Sequence, residues 1–312
     1  MRRGAMRSTG RRFAGGSVWT GWRYTQRPRA FILAGMVQQR STARLPALAA
    51  VAGSFGRDVS RSLERIDATV ERARSRGAEL VVLPECALGG YLTGGDGIAL
   101  DGPEIARLAA IAGDVVVCAG FTESSPEGTY SSAVCVTGDG VLGHHRKVHL
   151  PPSEADAFVP GDSFRAFDTP VGRVGMLICY DKVFPEAART LALDGAQIVA
   201  SLAAWPVCRF DPASRLRDDR QTRQFNLLDQ ARAMENQVVW VSSNACGQAG
   251  ALRFMGQAKV VAPDGSVLAR TGGRAGIALA RVDVHGEVEG ARGFFSHLGD
   301  MVPSSYGLVT AA

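Results

Sequence analysis

From Leu45 to about residue 285, short and almost wholly apolar runs alternate with segments whose apolar residues recur at helical spacing. That alternation restricts the chain to the α/β class. LPALAAVAG (45–53) reads as a strand, and Asp58–Arg76 as a helix with Val59, Leu63, Ile66, Val70 and Ala73 on one face. AELVVLPE (78–85) and DVVVCAGF (114–121) have the continuous apolarity of strands buried on both sides, with a helix over Ile105–Ala112 between them. SSAVCVTGDGVLGHHRKVHL (131–150) reads as a hairpin about Gly138-Asp139-Gly140. A second block repeats the pattern: two strands in 163–181, a helix over Phe184–Asp194, a strand in 196–205, a long helix over Leu216–Asn236 and a strand in 237–245. A hairpin with Pro263-Asp264-Gly265 at its tip and a strand in 276–284 follow, and the last ~30 residues carry no periodic signal. Alternating units with hairpins between them imply an α/β sandwich in one domain rather than a simple doubly wound sheet.

Charge and cysteine content narrow the function classes. The formal net charge is +5, yet residues 1–45 hold many arginines and no acidic residue, so the remainder is close to neutral or slightly acidic. This argues against nucleic-acid binding, and no apolar run is long enough to span a membrane. Residues 1–44 read as a disordered basic extension or an over-long start, with Met36 a plausible initiator. Arg11-Arg12 lacks the apolar core that a twin-arginine signal would need. The six cysteines, at 86, 118, 135, 179, 208 and 246, have no CxxC spacing. That pattern suits a reduced, cytoplasmic setting without structural zinc.

Three segments end a buried strand with a reactive side chain. Glu85 follows VVLP, where desolvation suits a carboxylate to acid–base work, although a surface glutamate would occupy the same place. Lys147 lies in HHRKVHLPPSE, where a solvated lysine is the plain alternative. His144, His145 and His149 point to different faces of that strand and lack a completing carboxylate or cysteine, so no metal site is expected. Cys179 ends GRVGMLI and enters a helix, a place that favours thiolate and offers backbone N–H groups to an oxyanion. The alternative is a core thiol.

Taken in order, LPExxLGGY around Glu85, HRKVHLPPSE…F.PGD around Lys147 and GMLICYDKVFPEAARTLALDGAQIV around Cys179 resemble the three signature regions of the nitrilase (carbon–nitrogen hydrolase) superfamily. The likeness extends through ARAMENQVVWVSSNACG (231–247) and FMGQAKVVAPDGSVLARTG (254–272), and so covers roughly 45–285. It implies a four-layer α-β-β-α sandwich and a Glu85-Lys147-Cys179 triad. Glu154, six residues before Pro160-Gly161, takes the place of a supporting glutamate. The backbone N–H of Tyr180 would serve the oxyanion beside Lys147. The resemblance further implies a homodimer or larger assembly packed through the Cys-side helices and the tail from 286 to 312. No cofactor is required.

CYDKVFPE is similar to the amidase and carbamoylase branches rather than to true nitrilases. The expected reaction is hydrolysis of a small amide, with N-carbamoyl hydrolysis next and nitrile hydrolysis third. Lys182 falls where some carbamoyl amino acid hydrolases place a carboxylate-binding arginine, which suggests an acidic substrate, with a solvated residue at the helix start as the equal alternative. Trp205, Tyr91 and Asn244 are further candidates to line the pocket, Phe254 a weaker one, and 208–219 a mobile lip. Asp181 and Glu186 are expected to fix the turn and helix after Cys179. A papain-like Cys–His pair finds no supporting context. The readings outside this class are a catalytically silent binding subunit and a glutamine-amidase partner of a synthetase.

Overall fold

The computed structural model describes residues 45–91 and 97–307. The expectation for residues 1–44 lies outside the described residues. Strand β1 (Ala47–Gly53) leads into α1 (Val59–Arg74), whose first turn is capped by Asp58 accepting from the Arg61 N–H at 2.9 Å. β2 (Ala78–Val82), α2 (Pro103–Ala112), β3 (Val116–Ser125), β4 (Gly128–Thr137) and β5 (Gly140–Arg146) follow. The chain then makes β6 (Ala166–Thr169), β7 (Gly172–Ile178), α3 (Pro185–Leu193), β8 (Ile198–Leu202), α4 (Arg220–Asn236) and β9 (Val239–Ser242). It ends with β10 (Asn244–Ala249), β11 (Leu252–Met255), β12 (Lys259–Val261), β13 (Val267–Arg270), β14 (Gly276–Arg281) and α5 (Val284–Phe294).

Two sheets result. One runs β11-β10-β1-β2-β3-β4-β5, with β14 also paired to β1, and the other runs β13-β12-β9-β8-β7-β6. Residue parity along the strands assigns the layers. Leu48, Ala50, Leu80, Val82 and Cys118 of the first sheet meet Met176, Ile178, Ala200 and Leu202 of the second in the central core. Their neighbours Val51, Val81, Leu83 and Val117 point outward against Ile66 and Val70 of α1 and Leu108 of α2. Leu177, Val199 and Trp240 pack outward against Ala188 and Leu191 of α3 and Ala233 of α4. The architecture is therefore the four-layer α-β-β-α sandwich.

Two sequence expectations need correction. The stretch 237–245 is not one strand: β9 belongs to the second sheet and β10 to the first. Ser243 stands at the crossing, its hydroxyl donating to Leu83 O at 2.7 Å and to Ser201 O at 3.2 Å, one carbonyl from each sheet. Backbone pairing with both sheets outweighed the continuous apolar pattern. The region after 284 is not irregular throughout, because α5 forms there behind Asp283, which accepts from Gly286 N–H at 3.0 Å. Its apolar positions are too few for periodicity to register. Among the described residues no helix is long and apolar enough to cross a membrane.

Candidate active site

The three signature side chains all follow the C-terminal ends of strands. Glu85 comes three residues after β2, Lys147 directly after β5 and Cys179 directly after β7. Such strand ends are where α/β sheets gather their ligands. Local backbone supports each placement. Cys179 has φ +47°, a left-handed conformation that a β-carbon disfavours, and it opens a 3-10 turn over Cys179–Val183. Cys86, next to Glu85, is also left-handed at φ +52°. Gly120 in β3 lets the Glu85 segment lie against it, since a β-carbon there would stand 2.7 Å from Glu85 Cα and 2.6 Å from Cys86 N. Sequence reading passed over Gly120, although an isolated glycine inside VVVCAGF is the ordinary mark of a close backbone approach.

Lys147 and the two glutamates form one buried group. The Lys147 ammonium donates to Glu85 Oε1 and to Glu154 Oε2, each at 2.7 Å, and its side chain is wholly buried. The second oxygen of Glu85 accepts the Ala204 N–H at 2.8 Å, while Tyr91 donates its hydroxyl to Glu154 Oε1 at 2.7 Å. Ser131 Oγ lies 3.5 Å from Glu85 Oε1. Burial disfavours the lysine cation, but Glu85, the Cys179 sulfur and Glu154 outweigh it, so its pKa stands above the ordinary lysine value. Burial and the charge of Glu85 push Glu154 upward against the opposing pull of Lys147. Burial, then Glu85, likewise raises the Cys179 thiol well above its usual range, with Lys147 and the Ala204 N–H opposing. Cys179 is therefore held in its thiol form.

Cys179 and Glu154 line a cavity of about 460 Å³ together with Tyr91, Tyr180, Trp205 and Leu252. Glu85 faces a smaller neighbouring cavity of about 260 Å³ that shares Tyr91, Ala204 and Leu252 with the first. A larger cleft of about 540 Å³ beside α1, lined by Arg65, Arg72 and Arg76, contains none of the signature residues. The outer wall of the Cys179 cavity comes from Cys208, Arg209 and Phe210, the start of the segment expected as a lip.

Not every expected pocket residue reaches it. Trp205 does, with its indole N–H donating to Gln221 Oε1 at 2.7 Å. Tyr91 does, and it also fixes Glu154. Asn244 instead sits behind Trp205. Its side-chain oxygen accepts the Trp205 N–H at 2.7 Å and its amide donates to Gly256 O at 2.8 Å, so it holds the wall without lining it. Lys182 is turned away from the cavity, fully buried, with its ammonium 2.8 Å from Asp229 Oδ1. A 3-10 turn, rather than an immediate α-helix, after Cys179 sends residue 182 inward.

Asp181 accepts the Ile178 N–H at 3.1 Å, closing the turn, as expected of it. It also receives His145 Nε2 at 3.1 Å and His149 Nδ1 at 2.9 Å, so two of the histidines on the lysine segment converge on the nucleophile turn. His144 instead meets Glu123 at 2.8 Å. Among the described residues no group of three or more histidine, cysteine or acidic side chains could hold a metal ion.

The chain is similar to known proteins. The family model for carbon-nitrogen hydrolases matches residues 34–290. An (R)-stereoselective amidase from a Pseudomonas species is 36% identical over 62% of this chain and 69% of its own length. A probable nitrilase from Schizosaccharomyces pombe is 30% identical over 80% of this chain and 92% of its own. Among solved structures, the carbon-nitrogen hydrolase from Helicobacter pylori G27 superposes with a TM-score of 0.75 at 25% identity, covering 84% of this chain and 97% of its own. A mutant of the amidase from Nesterenkonia sp. AN1, with the product of Michael addition of acrylamide at its active-site cysteine, superposes with a TM-score of 0.69 at 25% identity over 83% and 97%. The chain belongs to the carbon–nitrogen hydrolases of the nitrilase superfamily.

Proposed function

We propose that this enzyme hydrolyses a small linear amide through a thioester on Cys179, with Glu85 as the proton carrier and Lys147 as the charge stabiliser. The observation that carries this reading is the Lys147 ammonium, held at 2.7 Å from each of two buried carboxylates beside a cysteine in a strained left-handed turn. Amidases among the relatives favour the amide branch: besides the Pseudomonas enzyme, an omega-amidase from Xenopus laevis is 30% identical over 72% of this chain.

Glu85 takes the thiol proton as the sulfur attacks the carbonyl carbon, and the carbonyl oxygen becomes an oxyanion. Lys147 and the Tyr180 N–H stabilise that charge, each well-placed donor contributing roughly 3–4 kcal/mol. Protonated Glu85 passes its proton to the leaving nitrogen, the C–N bond breaks, and a thioester remains. Water gives a proton to Glu85 and attacks the thioester. The sulfur leaves, recovers that proton, and the carboxylic acid departs. Glu154 holds Lys147 in place, itself held by Tyr91. With Lys182 buried against Asp229, no part of this scheme assigns it to a substrate carboxylate.

The test is ammonia release from a panel of amides, N-carbamoyl amino acids and nitriles by wild type and Cys179→Ala, with intact-protein mass spectrometry. The expected result is ammonia from amides, lost in the variant, and an acyl adduct mapped to Cys179. Turnover confined to carbamoyl compounds or nitriles would move the assignment to that branch, and activity surviving in Cys179→Ala would overturn the nucleophile.

A further inference from the structure

Directly beneath the nucleophile turn lies a second buried ionic group. Asp229, on the inner face of α4, accepts Lys182 Nζ at 2.8 Å and the Trp240 indole N–H at 2.9 Å on one oxygen, and Lys259 Nζ of β12 on the other. The two ammoniums stand 3.4 and 4.2 Å from the centroid of the Phe225 ring. All three charged side chains are at most 3% exposed. Arg232 of the same helix donates to Lys182 O at 2.9 Å and Val183 O at 2.8 Å, so α4 grips the turn by its backbone as well. Two ammoniums on one carboxylate leave an unneutralised positive charge in the interior. Isolated buried charge is costly, so a balancing charge is expected nearby. The catalytic group has the opposite surplus, two carboxylates on one ammonium, and Lys182 interacts electrostatically with both Cys179 and Glu85.

We propose that the Lys182–Asp229–Lys259 group is a positioning and charge-balancing device for the Cys179 site. Its surplus positive charge offsets the surplus negative charge around Lys147 and favours the anion that forms on Cys179. Lys182 and Asp229 anchor the turn, and Lys259 supplies the charge. Lys259 is faced by Asp229 from α4, Lys182 from the turn, Arg270 from β13 and the Phe225 ring. Burial, with Lys182 and Arg270 adding to it, brings its pKa down to about 8 against the pull of Asp229, so the charge can be withdrawn within a few units of neutrality.

Lys259→Met tests this, because it removes the surplus charge and leaves Lys182 and Asp229 as a neutral pair of unchanged geometry. Lys259→Arg keeps the charge. The readout is the rate at which iodoacetamide alkylates Cys179 across pH, mapped by mass spectrometry, alongside kcat/KM. At pH 7 the Met variant is expected to alkylate roughly tenfold more slowly, as loss of one nearby interior charge implies. Lys259→Arg should retain the wild-type rate at pH 7, and above about pH 8, where wild-type Lys259 loses its proton, the wild-type and Met rates should converge while the Arg variant stays faster. If Lys259→Met does not unfold cooperatively, Lys259→Gln makes the same charge change while keeping a donor for Asp229. A folded variant whose profile coincides with wild type would reduce the group to a structural strut and overturn the proposal. The device rests on Cys179 being the nucleophile proposed above. Because alkylation needs no substrate, a shifted profile in an enzyme inert toward every amide would sink the substrate assignment and leave the device standing.

Discussion

Asp181 accepts both the backbone N–H and the ring Nδ1 of His149 at 2.9 Å, and so ties the segment carrying Lys147 to the turn carrying Cys179. Because its other oxygen receives Ile178 N–H and His145, one buried carboxylate holds the strand ends of Lys147 and Cys179 in register. The His149 ring is stacked on Phe184 at 3.7 Å, which closes the junction on its outer side.

Burial opposes ionisation of Asp181, but hydrogen bonds from His145 and His149 bring its pKa from 3.8 down to about 2. A depressed carboxylate pKa contributes stability that is present above the unfolded value and lost as pH falls through the folded one. Asp181→Asn is therefore expected to cost about 2 kcal/mol in urea unfolding at neutral pH. Its deficit relative to wild type should shrink between about pH 4 and pH 2. A deficit constant across that window would mean that packing, not charge, holds the junction.

Lys147→Met leaves Glu85 and Glu154 buried without their cation. Breaking such a group costs roughly 3–5 kcal/mol and removes the proposed oxyanion donor as well. Urea unfolding and ammonia release should both register the change. A variant of wild-type stability would show that the two carboxylates find other partners or become protonated at little cost.

Tyr91→Phe deletes the donor to Glu154 Oε1 while keeping the ring against Phe254, 5.9 Å away between centroids. Because Lys147 opposes the rise in the Glu154 pKa and Tyr91 does too, losing the hydroxyl should raise it further. The expected outcome is a fall in kcat of roughly tenfold, the equivalent of about 1.4 kcal/mol, with the acidic limb of the pH profile moved upward. An unchanged kcat with a changed KM would make Tyr91 a substrate contact only.

Gly120→Ala forces a methyl group to within 2.7 Å of Glu85 Cα, so the Glu85 segment must shift. Overpacking of this kind costs roughly 1–3 kcal/mol, and a displacement of the proposed proton carrier by about 1 Å is expected to lower kcat by about 100-fold. Wild-type activity in the variant would contradict the close approach. Asn244→Ala, by contrast, frees the Trp205 backbone and should raise KM more than it lowers kcat, as measured on the best amide of the panel.

The alternation of apolar runs and helical segments and the motifs around Glu85, Lys147 and Cys179 were legible in the chain itself, while Glu154 was singled out only through the resemblance that those motifs carry. These features are local: strand burial follows from continuous apolarity, and reactive side chains at strand ends follow from where the apolar runs stop. What only the tertiary structure decided depends on contacts between distant segments. The split of 237–245 between two sheets turns on Ser243 reaching Leu83 and Ser201, which no periodicity encodes. Lys182 is directed inward by a 3-10 turn, and its charge is tolerated there because Asp229, 47 positions along, meets it. A buried charge is tolerable when its partner is in place, and that partner is chosen by packing in three dimensions, not by sequence spacing.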